Sequence, residues 1–153
     1  MAAIVSLRDV VEEISVQPEG AMAHLNPDTG EIVTVFDEEL RLVEDEEAAA
    51  EAPEWQQENL RKAREVLESD RFLQLPTSID IHAWAIMERF SQERTNPEER
   101  DELVRAVHGS GAFRRFEETI RRLDIEEEWY RFQDAALEAI AKEWLEAHGI
   151  AYR

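Results

Sequence analysis

Ser110 and Gly111, followed by Arg114 and Arg115 in the stretch GSGAFRRFEETIRRL at 109–123, have a spacing that could do chemistry. Glycines at a helix start leave backbone N–H groups free to hold an anion, and guanidinium groups one turn on would add charge-assisted hydrogen bonds. The stretch lacks the lysine and the preceding strand of a phosphate-binding loop, and it is not a dinucleotide fingerprint. A structural account explains more of its residues. Phe113, Phe116, Ile120 and Leu123 recur at helical spacing and predict one buried face. Gly109 is expected to end the preceding helix in the left-handed conformation, and Ser110 to cap the next one. Gly111 and Ala112 are expected to admit a neighbouring backbone. Glu117–Arg121 and Glu118–Arg122 are i,i+4 pairs in the favourable order.

The histidines are His24, His82, His108 and His148. No two have the i,i+4 spacing of a helical metal pair, so no metal ligands are assigned. His82, next but one to Trp84, is the best acid–base candidate, although a packed or rim histidine fits the same position. Ser110 between glycines lacks the strand–elbow–helix context of a hydrolase nucleophile. The acidic residues are too numerous for a carboxylate pair to be picked out. No catalytic residue and no cofactor is assigned. The tryptophans Trp55, Trp84, Trp129 and Trp144 have helical spacings that favour core packing over stacking on a base or sugar.

The acids are concentrated in one region. From Asp37 to Glu58 they are opposed only by Arg41, and Glu44, Asp45, Glu46 and Glu47 are consecutive. No calcium-loop pattern with its glycine is present. Residues 44–53 are expected to form a solvated acidic connection whose density of charge attracts a basic surface. The net charge of −19 acts in the same direction over the whole chain. It makes nucleic acid and anionic membrane unlikely partners, because both are bound through Lys and Arg. It permits a basic protein partner, and by itself it would also serve solubility.

These residues must be positioned by a fold. A length of 153 residues suggests a single domain over 1–153, and 43% hydrophobic residues suffice for a core. The absence of cysteine excludes disulfides and thiolate chemistry. The start, MAAIVSLRDVVEEI, has no basic region followed by an apolar run, and no stretch reaches the roughly 20 apolar residues of a membrane helix. A cytoplasmic protein is therefore expected.

Ser6 caps a helix bearing Leu7, Val10, Val11 and Ile14. Alternating segments flank NPDTG at 26–30 and predict a β-hairpin, with Gly30 supplying positive φ. A strand is expected to continue through Leu40 to Val43. EWQQENLRKAREVLESD at 54–70 is a helix with Trp55, Leu60, Ala63, Val66 and Leu67 on its apolar side. Phe72 to Leu75 is extended. A central helix then follows a cap at Thr77 or Ser78, with Ile79, Ala83, Ile86 and Phe90 as its stripe and Ile81, Trp84 and Met87 widening it. Asn96-Pro97 opens another helix, with Leu103, Val104 and Val107 facing inward. The last runs from about Glu126 to His148, lined by Trp129, Phe132, Ala136, Ile140 and Trp144, and ends at Gly149. The fold class is α+β: mostly helical, with a small N-terminal antiparallel hairpin or sheet.

LNPDTGEIV, RFLQLPTSIDIHAWAIMERF, LVRAVHGSGAFRRFEETI and WYRFQDAALEAIAKEWLEAHGI follow one another in this order. In these segments the chain resembles the bacterial uncharacterised protein family 0158, over roughly residues 21–150. The resemblance implies a compact bacterial protein and supplies no activity and no site residues. Glu117 stands where the resemblance leads one to expect lysine, which works against a cationic role for that helix.

The sequence thus points first to a noncatalytic interaction or regulatory module with an acidic partner-binding face. The alternatives are a phosphate, small-ligand or nucleic-acid module built on Ser110, Gly111, Arg114 and Arg115, and a hydrolase using carboxylates and His82. Oligomeric state and biological process are not legible.

Overall fold

Local turn chemistry organises the first part of the molecule. The structure is a computed structural model describing residues 3–153, with the side chains of Ser78 and Ile79 outside the described part. The cap expected at Ser78 and the place of Ile79 in the stripe lie outside it too. Helix α1 (Leu7–Ser15) is capped by Ser6, whose side chain accepts from the Asp9 N–H, and it buries Val10, Val11 and Ile14. Strands β1 (Ala21–Leu25) and β2 (Ile32–Phe36) pair antiparallel, with Leu25 opposite Ile32 and Ala21 opposite Phe36. In the turn between them the Asn26 side chain accepts from Asp28 N–H, and the Gly30 N–H reaches the Asn26 carbonyl at 2.8 Å, with Gly30 at φ +80°.

After β2 the chain departs from the expected strand through Leu40 and Val43. It forms α2 (Asp37–Glu44), followed directly by α3 (Glu46–Glu51) and α4 (Glu54–Glu68). The cause lies at the boundary. Asp37, Glu38 and Glu39 put negative charge on the first turn, where a helix dipole favours it. The Glu39 carboxylate also reaches back to accept the Phe36 N–H at 3.0 Å. Leu40 and Val43 still pack inward, against Val33, Val35, Ala63 and Val66, but from a helix. Strand β3 (Leu73–Gln74) adds to the free edge of β1, giving the sheet order β2-β1-β3. The ends of the chain join this unit: Val5 forms a parallel bridge with Tyr152.

The second part begins with α5 (Ser78–Ile81) and α6 (Ala83–Gln92), which the sequence predicts as one helix. His82 separates them in the left-handed region, φ +52°. Ile81, Ile86, Met87 and Phe90 are buried as expected, whereas Ala83 is exposed and Trp84 is 39% exposed. Helix α7 (Pro97–Val107) starts at Asn96, whose side chain accepts from both Glu98 and Glu99 N–H, with Pro97 first in the helix. Helix α8 (Ala112–Arg122) buries Phe116 and Ile120. Phe113, expected on the same face, is 55% exposed. At 100° per residue Phe113 falls about 60° from Phe116, at the rim of the stripe, and Thr119 closes the face on the other side. The ladder of i,i+4 pairs is also rearranged, since Glu118 pairs with Arg114 and Arg122 with Glu102.

Helix α9 (Glu126–Ala147) carries Trp129 and Phe132 into an aromatic cluster with Phe90 and Phe116. Trp129 and Ala136 are buried as expected, while Phe132, Ile140 and Trp144 are half-buried. Gly149, φ +67°, ends the helix.

Contacts divide the chain into two compact units. One comprises the chain up to Thr77 with Ala141–Arg153, and the other Ser78–Ile140. Each unit has its own core: sheet-and-helix packing around Val33, Val35, Ala63 and Val66 in the first, and the aromatic cluster in the second. The fold class is α+β, mostly helical, with a small antiparallel sheet near the N-terminus.

Candidate functional site

Glu44, Asp45, Glu46 and Glu47 all come to the surface of the first unit. They occupy a junction of two helices where the sequence suggested an irregular connection. Glu44 is the last residue of α2, Asp45 lies between, and Glu46 and Glu47 open α3. Asp45 fixes the junction, because its carboxylate accepts the Ala48 N–H at 3.2 Å as the cap of α3. Ala49 is buried under the short helix, and the Gln57 side-chain amide donates to the Ala49 and Ala52 carbonyls at 2.8 and 2.9 Å. Among the described residues none of the four acids forms an ion pair, so a dense, backbone-anchored array of negative charge faces solvent.

The same unit holds a groove of about 440 Å³ that sequence periodicity missed. Its apolar walls are Phe36, at the end of β2, and Trp55, in the first turn of α4. Its polar lining includes Glu19, Asp37, Glu38, Gln56 and Asn59. Gly20, φ +77°, turns the chain so that its carbonyl accepts the Asp37 N–H at 2.8 Å, which brings Glu19 beside the start of α2. Trp55, expected in the core, is 75% exposed, and Phe36 is 41% exposed. Carboxylates beside exposed ring faces suit a cation. The sequence-level clue was present but ambiguous: Trp55 stands in the first turn of its helix, with glutamate and glutamine on either side.

The Ser110–Gly111 corner is arranged differently from the expectation. Gly111 has φ +66°, and a side-chain carbon added there would meet nothing within 4 Å. Its role is conformational, and no backbone approaches it closely. Gly109 is the tight position: an added Cβ would lie 1.8 Å from Nη1 of Arg115. Helix α7 is closed by His108 at φ −98°, and Gly109 after it does not have a positive φ, so Gly109 is not its left-handed terminator. Ser110 is exposed, and α8 has no side-chain cap bond. The Arg114 guanidinium turns down the helix to Glu118 at 3.1 Å, while Arg115 folds back against Gly109. The corner thus keeps one of the two arginines close.

His82 is exposed in its left-handed link, and Trp84 turns toward a different histidine. The Trp84 ring stands edge-on to His108 at 5.6 Å, and its Nε1–H donates to the Val107 carbonyl at 2.8 Å. His108 Nε2 is 3.4 Å from a Glu88 carboxylate oxygen. Trp84 and Glu88 stand one turn apart on α6, but His108 reaches them from the end of α7, so this trio could not be read from local spacing. His24 has a displaced titration. Burial pushes its pKa below the usual imidazole value, against a weaker opposing pull from backbone groups at Met22 and Val33. Its Nδ1 is enclosed and has no hydrogen-bond partner among the described residues. Among the described residues no three His, Asp or Glu side chains are grouped to hold a metal, and no helix is long and apolar enough to cross a membrane.

A family model described as Uncharacterised protein family (UPF0158) matches residues 47–152, which is more than half of the chain. The matched span takes in α4 with Trp55, the Ser110–Gly111 corner and α9, and begins after the hairpin. No curated protein and no solved structure matches.

Proposed function

We propose that this chain, which belongs to the uncharacterised protein family UPF0158, is a noncatalytic interaction or regulatory module that receives a basic protein partner on an acidic face. Glu44, Asp45, Glu46 and Glu47 form that face. One observation supports the reading: four consecutive exposed carboxylates sit on a capped helix junction and, among the described residues, none of them is paired with a cation. Charge held in this way raises the local potential and acts mainly on the rate of encounter with an opposite surface. A cytoplasmic setting accords with so highly charged a molecule, net −19. Anion binding at the corner of α8 has less support, because Arg114 is turned to Glu118. A hydrolase built on His82 has less support as well, because Trp84 is packed against His108 instead.

The test begins by capturing a partner from host extract and measuring its association with the parent and with a variant carrying Glu44→Gln, Asp45→Asn, Glu46→Gln and Glu47→Gln. Asn at 45 preserves the helix cap. Association with the variant is expected to slow by about tenfold or more at low salt, and its salt dependence to flatten. An unchanged rate and salt slope would remove these residues from the partner surface.

A further inference from the structure

Phe36 and Trp55 leave ring surface in water along a groove of about 440 Å³, where Glu19, Asp37 and Glu38 add carboxylates. An indole that is 75% exposed contributes little to the core of its own unit. Glu39, the remaining acid of the groove, is already committed to the Phe36 N–H. Among the described residues, the side chains of Glu19, Asp37 and Glu38 have no comparable task. The surroundings are thus apolar faces edged by uncompensated negative charge. A lysine would satisfy the charge as a compact ammonium. An arginine satisfies both parts, because its flat guanidinium stacks on aromatic faces while its N–H groups fork to carboxylates.

We propose that the groove between Phe36 and Trp55 seats an arginine side chain presented by an extended basic segment of a partner protein, with Asp37, Glu38 and Glu19 as its carboxylate contacts. The inference rests on the acidic-face reading and gives it a specific anchor. Glu44, Asp45, Glu46 and Glu47 would draw a basic surface in, and the groove would select what is held.

The probe is a short Gly/Ser peptide carrying a pair of arginines, compared with its lysine counterpart and with a citrulline counterpart that keeps the shape of arginine without its charge. Affinities of the parent and all variants are measured by calorimetric titration, and the place of binding is followed through the indole N–H resonance of Trp55, identified by its loss in Trp55→Phe. The arginine peptide is expected to move the Trp55 resonance and leave those of Trp84, Trp129 and Trp144 in place. The lysine peptide should bind about threefold to tenfold more weakly, and the citrulline peptide should leave the resonance still. Trp55→Ala, and separately Asp37→Asn with Glu38→Gln, should each weaken binding by about fivefold or more. A Trp55 resonance that stays put, or that moves equally for citrulline, overturns the proposal. Two further outcomes separate the groove from the wider face. If the substitutions at 44–47 abolish peptide binding while Trp55→Ala leaves it intact, the acidic face stands and the groove falls. If Trp55→Ala weakens binding and the substitutions at 44–47 do not, the groove stands and the wider face falls.

Discussion

Phe36 and Trp55 in the first unit, and Phe90, Phe116 and Trp129 in the second, are the same kinds of residue with opposite fates. In the second unit the rings satisfy one another. Phe116 meets Trp129 edge-to-face at 4.8 Å, and Phe90 meets Trp129 at 5.3 Å and Phe116 at 6.1 Å. The rim is covered by cations, with Arg94 over Phe90 at 5.4 Å and Arg89 over Phe132 at 5.1 Å. Arg94 is itself held by Glu99 and Glu128. The groove of the first unit repeats the ingredients of that rim, rings and carboxylates, but among the described residues no arginine lines it. One unit thus contains the complete form of the contact that the other leaves open.

The sharpest way to break this comparison is to remove one ring from each region. Phe116→Ala should cost about 3–5 kcal/mol, because it empties a site that is 1% exposed and undoes two ring contacts. Trp55→Ala and Phe113→Ala should each change stability by no more than about 0.5 kcal/mol. Urea denaturation of the three variants checks both regions at once. A Trp55→Ala loss as large as that of Phe116→Ala would mean that the indole is part of the core.

A smaller effect is expected at the turn that leads into α8 and so carries Phe116. Gly111→Val should cost about 1–3 kcal/mol through strain at φ +66°. Gly111→Asn should cost less, since asparagine tolerates the left-handed region. Equal losses for the two, measured by thermal melting, would point to crowding, which the open space around Gly111 does not lead one to expect.

The smallest effect concerns the sheet of the first unit. His24 titrates lower in the fold than when unfolded, so the unfolded chain binds its proton first as pH falls. The sign follows directly: stability from neutral His24 is complete above the unfolded pKa, about 6.5, and is lost as pH drops toward the folded value. Melting temperatures of the parent should fall between about pH 7 and pH 5.5, above the range where most carboxylates titrate. His24→Leu should flatten that fall. A slope equal to the parent's would show that His24 is not its source.

How much of this was legible in the sequence depended on whether the determining contact was local. NPDTG specified its turn, Asn96-Pro97 its helix start and Gly149 its helix end, because each acts through its own backbone. Leu40 and Val43 were legible as core, but not as helix. Residues three apart share a face only on a helix, and the helix is set at its start by the Glu39 bond across the Phe36 boundary. Nothing nearby in sequence marks the left-handed break at His82. Trp55 and Phe113 were misplaced for a shared reason: periodicity names a face, and only the neighbours decide whether the first turn of that face is covered. The acidic residues at 44–47 were legible as exposed, whereas the groove was not, since it gathers Glu19, Phe36 to Glu39 and Trp55 from separate elements.

The bridge between Val5 and Tyr152 has a mechanical consequence. Val5 N–H donates to the Ala151 carbonyl at 2.9 Å, Arg153 N–H to Val5 at 3.0 Å and Leu7 N–H to Arg153 at 3.1 Å. The two segments run parallel, so tension applied at opposite ends of the chain loads these bonds together in shear and does not peel them one by one. Both segments belong to the first unit, and Ser78–Ile140 is inserted between its two parts. A load carried along the chain therefore meets this clamp first, and the inserted aromatic unit comes under tension only after the clamp has given way.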